Sequence, residues 1–261
     1  MTITYDLNTI RPYINWIYFY HAWQVSDSAE QQRLRQEAEC LLQQYDGHYR
    51  CHALFSIDDA YSDGDDIVVS TIRLPMLRQQ HGDCLCLADY IGRQSAAVDN
   101  RIGVFATTVD MGMETDFDSD PYKKMMMQLL ADRLAEATAE RMHQEVRKHY
   151  WGYAPDEELS MAELHTELFQ GIRPAVGYPS LPDTSLNFEL DRLLGFSKIG
   201  IRLTESGAMR PHASVSGLMI AHPKAKYFAI GKIGADQLTD YARRRGLPIA
   251  LVRRFLGSLA P

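Results

Sequence analysis

The sequence predicts an α+β fold: a single domain over residues 1–261, built on a largely antiparallel, twisted sheet flanked by helices. Candidate strands and helices do not alternate regularly, which argues against a doubly wound parallel sheet. No two of the 17 glycines are spaced Gly-x-Gly, so the turn that opens a nucleotide-binding methyltransferase unit is missing. A chain of 261 residues, 46% hydrophobic and 23% charged, can bury one large core.

Each element has its own justification. Residues 14–23 are almost all large and aromatic without a clean period, and are expected to be buried on more than one side. Residues 28–44 read as an amphipathic surface helix with Leu34, Ala38, Leu41 and Leu42 on its apolar side. Residues 51–57 and 67–72 read as strands around the acidic run 58–66. That run places Asp59, Asp63 and Gly64 at calcium-loop spacing, but Tyr61 and Ser70 stand where ligands are needed. A hairpin turn is the better reading. Residues 85–91 and 102–108 are further strand candidates. Residues 116–120 offer N-caps, Pro121 suits a first helical position, and a long helix should run from there to about Tyr150. Met125, Met126 and Met127 within it read as adaptable core packing. Ser160-x-x-Glu163 is a capping box for a helix reaching Gly171. A short helix at 188–194 precedes strands at 199–204, 214–220 and 227–233, with 222–225 as the last turn. Helices at 235–245 and 248–256 close the chain, with Gly246 as a C-cap.

Composition narrows the function. A net charge of −7 and a pI of about 5.7 disfavour a general nucleic-acid binder. Arg243–Arg245 and Arg253–Arg254 read as charges in helix C-terminal turns. No apolar run is long enough to span a bilayer, and residues 1–8 are too polar for a signal sequence. Cys40, Cys51, Cys84 and Cys86 lack zinc-type pairing. Cys84 and Cys86 would share one side of a strand. Buried free thiols in a reducing cytoplasm are expected.

Two constellations carry chemistry. The first is residues 171–179, Gly-Ile-Arg-Pro-Ala-Val-Gly-Tyr-Pro, too rich in Pro and Gly for helix interior or central strand. It is either a plain connector or a stiff mount for Arg173, a fork of donors suited to carboxylate or phosphate. Gly177 there can adopt a left-handed conformation. The second is Asp132, Glu136 and Glu140, four residues apart on one helical face, with Arg133 and Arg141 available to offset their repulsion. That face is either a solvated acidic stripe or a dock for a cation. Glu167 and Arg173 are either each other's salt bridge or a clamp for a zwitterion. Tyr227 and Phe228 read on their own as strand aromatics.

The Arg-Pro-Ala-x-Gly-Tyr-Pro segment resembles the signature of the activation domain of cobalamin-dependent methionine synthase. Residues 151–155, 203–206, 213–217, 222–223 with 226–227, 131–136 and 240–244 resemble family segments in the family's order. The likeness covers nearly the whole chain from about Ile14, as a free-standing version of what is elsewhere one part of a longer enzyme. It implies the same α+β fold, and it implies binding of S-adenosylmethionine. The domain would support reductive methylation of cob(II)alamin to methylcobalamin on a separate cobalamin-binding methionine synthase chain. A flavodoxin or other one-electron reductase would act indirectly. The cobalt is the nucleophile, so no catalytic acid, base or nucleophile is asked of this chain. The resemblance places Asn15, Glu136, Glu167, Arg173, Ala175, Tyr178, Tyr227 and Phe228 at the ligand. Arg173 would take the carboxylate, Glu136 and Glu167 the amino and sulfonium end, and Tyr178, Tyr227 and Phe228 the nucleoside. Asp132 would face the cobalamin module. The chain departs from the family at Asn15, where an aspartate is usual, and at Thr184, where a histidine is usual. A divergent corrinoid-docking module that has lost S-adenosylmethionine is therefore the alternative function.

Overall fold

A computed structural model describes residues 1–94 and 100–260. Its centre is β2 (Arg50–Asp63), a long strand that pairs on both sides, after a first segment of β1 (Thr2–Asp6), α1 (Leu7–Ile10), α2 (Trp16–Ala22) and α3 (Ser28–Gln44). The first half of β2 lies between β1 and β5 (Arg101–Val109); its second half pairs with β3 (Asp66–Val69), which pairs with β4 (Ile72–Pro75). After α4 (Gly112–Thr115), α5 (Pro121–Glu145), α6 (Met161–His165) and α7 (Leu186–Leu194), the chain forms a two-stranded ribbon of β6 (Arg202–Leu203) and β7 (Met209–Arg210). It then enters the sheet again as β8 (Ser214–Met219), antiparallel to β5. α8 (Ala235–Arg245) and α9 (Ile249–Leu256) follow. The result is an antiparallel six-stranded sheet, curled where β2 changes partners, with helices on its flanks.

Alternation along the strands divides the interior. Phe105 and Val109 of β5 join Val215 and Met219 of β8 under α5, while Ile102, Val104 and Ala106 face the layer that holds α7. A strand buried on both faces reads as a continuous apolar run, as residues 102–106 do. The Thr107 hydroxyl reaches the Ala135 carbonyl at 3.0 Å, tying sheet to helix. α5 starts as expected: Asp120 caps the Lys123 N–H and Pro121 follows. It continues into a π-helical turn, Val146–Tyr150.

Several expectations need correction. The acidic run is mostly strand, not loop, because Asp58–Asp63 pair with β5 or β3; only the tip at Gly64 turns. Residues 85–91 are no strand: Cys84 sits at φ +52° and the Asp89 carboxylate accepts the Cys86 N–H, closing a 3-10 turn over Leu87–Tyr90. Cys84 is accordingly exposed and Cys86 buried, and Cys40 is exposed on the outer side of α3. All four thiols are free. Residues 227–233 join no ladder; Phe228 and Ile230 N–H groups bond Ser180 Oγ and Pro179 O instead. Only Arg202–Leu203 of the expected 199–204 strand pairs. The capping box starts α6, but that helix stops at His165, since Glu167 takes φ +59°. Residues 14–23 are not buried on more than one side: in α2 Phe19 is buried, while Ile17 and Tyr18 are 62% and 59% exposed.

The 171–179 loop lies along the free edge of β8. Ile172 and Ile220 exchange both backbone bonds at 2.9 Å, Pro174 O accepts from Leu218 at 3.0 Å, and Ser216 O accepts from Val176 at 2.9 Å. Proline is tolerated because this is an edge, where its missing donor is not required. Gly217 is needed for the approach: a Cβ there would stand 2.2 Å from Pro174 O. The loop is therefore fixed to the sheet and carries Arg173 with it.

Candidate functional site

α5 runs beside the loop, and the N-terminus of α2 closes the third side. Together they line a cleft of about 380 Å³ that contains Asn15, Tyr18, Glu136, Glu140, Glu167, Arg173 and Tyr178. Three larger depressions lie elsewhere: one of about 430 Å³ around Asp236 and Arg244, and two of about 840 and 600 Å³ lined in part by Ile91 and Gly92. In the largest one Arg78 is already engaged by Asp65 and Asp89 at 2.7 Å. The 380 Å³ cleft is distinguished by a buried carboxylate, Glu140, facing Arg173.

Arg173 is its fixed point. Nη2 donates to Glu140 Oε2 at 3.1 Å, Nη1 to His143 Nδ1 at 3.1 Å, and its backbone N–H to Tyr227 Oη at 2.8 Å. The neighbouring carboxylate of Glu140 holds the guanidinium charged against the opposing effect of burial. Glu140, not Glu167, is therefore its ion-pair partner. Glu167 lies beyond the end of α6 at a left-handed backbone angle, and burial pushes its carboxyl above the ordinary value. Glu140 is buried, and its Oε1 has no hydrogen-bond partner among the described residues. The acidic face of α5 is thus not a solvated stripe. Nor do the expected arginines neutralise it: Arg141 pairs with Glu145 at 2.7 Å and donates to Tyr13. Arg133 lines the cleft, 5.8 Å from the centre of the Tyr18 ring. Glu136 accepts a 2.5 Å bond from Tyr178 Oη. The lining holds three carboxylates against two guanidinium groups. Such a site favours a ligand that carries a carboxylate and yet has net positive charge.

The other predicted residues are placed less directly. Ala175 pairs along β8 at Gly217, and Phe228 packs between two core clusters rather than into the cleft. Asp132, one turn before Glu136, pairs with His212 at 3.6 Å, and burial raises its carboxyl pKa. Asn15 Oδ1 caps α2 by accepting the Ile17 N–H at 3.2 Å, leaving its amide hydrogens free of that task. Thr184 bonds Ser206 O at 3.3 Å, near Gly177, which has the expected left-handed φ of +89°.

Behind Arg173 is a buried layer not foreseen from the residues. Arg147, fully buried, is bidentate to Glu157 at 2.7 Å on both arms and stacks 4.1 Å over Phe169. Its Nη1 donates to His143 Nδ1 at 2.8 Å, and Tyr153 Oη lies 3.3 Å from His143 Nε2. A signal existed: Glu136, Glu140, His143 and Arg147 continue one helical stripe.

Burial, reinforced by Arg147 and Arg173, pushes the His143 imidazole well below the ordinary 6.5. The groups facing it are Arg147, Arg173 and Tyr153, with Glu140 and Glu157 behind the arginines. The unfolded chain therefore binds a proton here that the folded chain refuses. This contribution to stability is complete above the unfolded pKa and is lost as pH falls from about 6.5 toward the depressed folded value. Urea denaturation between about pH 5 and pH 7 should show His143→Asn with a shallower pH dependence than wild type. The difference should reach at most about 1.4 kcal/mol per pH unit. Parallel curves would show that His143 takes up its proton without cost to folding.

The comparisons with known proteins follow this geometry. The family described as the vitamin B12 dependent methionine synthase activation domain matches residues 6–246. The chain belongs to that family. Among solved structures it is similar to the crystal structure of the MetH reactivation domain bound to AdoHcy, with a TM-score of 0.94 and 36% identity. That match covers 98% of this chain and 88% of that one. The α+β architecture expected of an activation domain is thereby established for this chain.

Proposed function

We propose that this chain, acting as one unit over residues 1–261, binds S-adenosylmethionine in the 380 Å³ cleft and serves reactivation of a cobalamin carried by a separate methionine synthase chain. The observation that carries the reading is Arg173, largely buried and held from two sides beside an excess of carboxylates. S-adenosylmethionine has one carboxylate, one ammonium and one sulfonium, which matches that balance. Arg173 takes the ligand carboxylate. Glu140 Oε1, an acceptor without a partner among the described residues, suits the ammonium, with Glu136 and Glu167 on the cationic side. Tyr178 and Tyr227 stand toward the nucleoside. AdoHcy bound to the similar MetH domain supports the ligand class.

The cobalamin supplies the nucleophile, and an electron comes from a flavodoxin or another one-electron reductase. This chain's residues hold the methyl donor in place, where proximity and orientation do the work. Acting in trans removes the effective concentration that a tether provides, so recognition of the partner rests on this chain's own surface. The side of α5 with Asp132 is the face assigned to that partner. Cytoplasmic residence is part of the proposal; among the described residues no helix is long and apolar enough to cross a membrane.

Calorimetric titration with S-adenosylmethionine and with AdoHcy tests the reading; saturable binding of both is expected. No heat at millimolar ligand, with or without a cobalamin protein, would favour the second reading, a corrinoid-docking module without the ligand. Asn15 keeps that reading alive, because its Oδ1 is spent on the α2 cap. Asn15→Asp is informative here. Asp caps as well as Asn, so melting should not change. The added charge beside a cationic ligand should tighten S-adenosylmethionine about fivefold, roughly 1 kcal/mol. Equal affinities would place Asn15 outside the ligand's reach.

A further inference from the structure

We infer that His143 is a positioning residue: a neutral imidazole, fixed as one tautomer, that aims the Arg173 guanidinium into the cleft from a buried anchor. The tautomer follows from donor counting. Nδ1 faces Nη1 of Arg147 at 2.8 Å and Nη1 of Arg173 at 3.1 Å. A guanidinium can only donate, so Nδ1 carries no proton and accepts from both. A neutral ring must then carry its hydrogen on Nε2, where Tyr153 Oη at 3.3 Å accepts it. Burial and the two adjacent positive charges keep the ring neutral.

The anchor is Arg147, held on two arms by Glu157 and stacked on Phe169. Rigidity passes from this pair through His143 to Arg173, and Glu140 fixes the other side. Neutrality matters to the role. A carboxylate at 143 would orient Arg173 equally well but would cancel charge that a ligand carboxylate needs. A neutral acceptor sets direction and leaves the charge available.

The test rests in part on the ligand reading above, so it has two arms. The first is calorimetry with AdoHcy. His143→Asn, which can keep an acceptor near Nδ1, should bind within about threefold of wild type; His143→Leu should bind at least about tenfold more weakly. His143→Asp should also lose affinity despite keeping an acceptor. The second arm needs no ligand. Nitrogen-15 NMR of the wild type should show His143 unprotonated at Nδ1 and protonated at Nε2 near neutral pH. It should also show slowly exchanging Nη hydrogens from Arg173, assigned by their loss in Arg173→Lys. These signals should persist in His143→Asn and vanish in His143→Leu, while those of Arg147 remain. An Nδ1–H tautomer, an imidazolium, or a Leu variant that keeps both the Arg173 signals and the affinity would overturn the role. Failure of wild type to bind AdoHcy with the spectral pattern intact would count against the ligand reading and still support the positioning of Arg173.

Discussion

Arg173→Ala is expected to weaken AdoHcy and S-adenosylmethionine binding at least about 100-fold, beyond ready detection by calorimetry. The magnitude follows from burial. Truncating one member of a buried, hydrogen-bonded charge pair costs about 2–5 kcal/mol, part of it the penalty of the charge left behind. Here that charge is Glu140, whose Oε1 has no partner among the described residues. The variant will therefore lose stability as well as affinity, and the two losses must be separated. Arg173→Ala with Glu140→Gln removes the stranded charge; its melting temperature should rise above that of the single variant while binding stays lost. Arg173→Lys sharpens the argument. One ammonium keeps the charge but cannot span Glu140, His143 and a ligand carboxylate as a planar fork does. It should retain less than about a tenth of wild-type affinity. Binding by Arg173→Ala within about threefold of wild type would remove Arg173 from the ligand and take the proposed function with it.

Local patterns made part of this legible. α3 and α8 appear at their expected bounds, and α5 starts where Asp120 and Pro121 mark it, though its α-helical turns end at Glu145 and a π-helical turn carries on to Tyr150. β5 is a plain apolar run buried on both faces. The Arg-Pro loop announced itself by composition, and Gly177 takes the left-handed angle that its position suggested. Expectation failed where a distant partner decides. Asp58–Asp63 look like a loop, yet β3 and β5 supply ladders that override the charge run. Residues 227–233 have strand composition but their neighbour is the 179–180 backbone, not a sheet edge. Nearness in sequence made Glu167 look like the partner of Arg173, whereas Glu140, 33 positions away, holds it. His143 and Arg147 went unread because polar residues late in a helix usually face solvent or the dipole. Only the fold shows that this turn of α5 is covered by Phe169 and the segment carrying Glu157.

Glu157→Ala is expected to be the most destabilising of these substitutions, although Glu157 lies outside the cleft lining. It leaves Arg147 fully buried with its two best acceptors gone. Breaking a buried pair from one side costs about 3–5 kcal/mol because the remaining ion keeps its desolvation penalty. For a chain of this size that corresponds to a fall of about 10 °C in melting temperature. Arg147→Met should also be costly, since it deletes the stack on Phe169 and one donor to His143. The double variant decides between mechanisms. If the pair is principally a mutual neutralisation, Arg147→Met with Glu157→Ala should cost clearly less than the two single losses together, with a coupling of about 1–3 kcal/mol. Denaturant unfolding of all four proteins at one pH gives that number. Additive losses would mean that each side chain contributes packing of its own and that the ion pair itself contributes little. A large coupling would mark the Arg147–Glu157 pair as one charge-balanced unit, the state in which a buried arginine can stand beside a neutral histidine without forcing either to change its protonation.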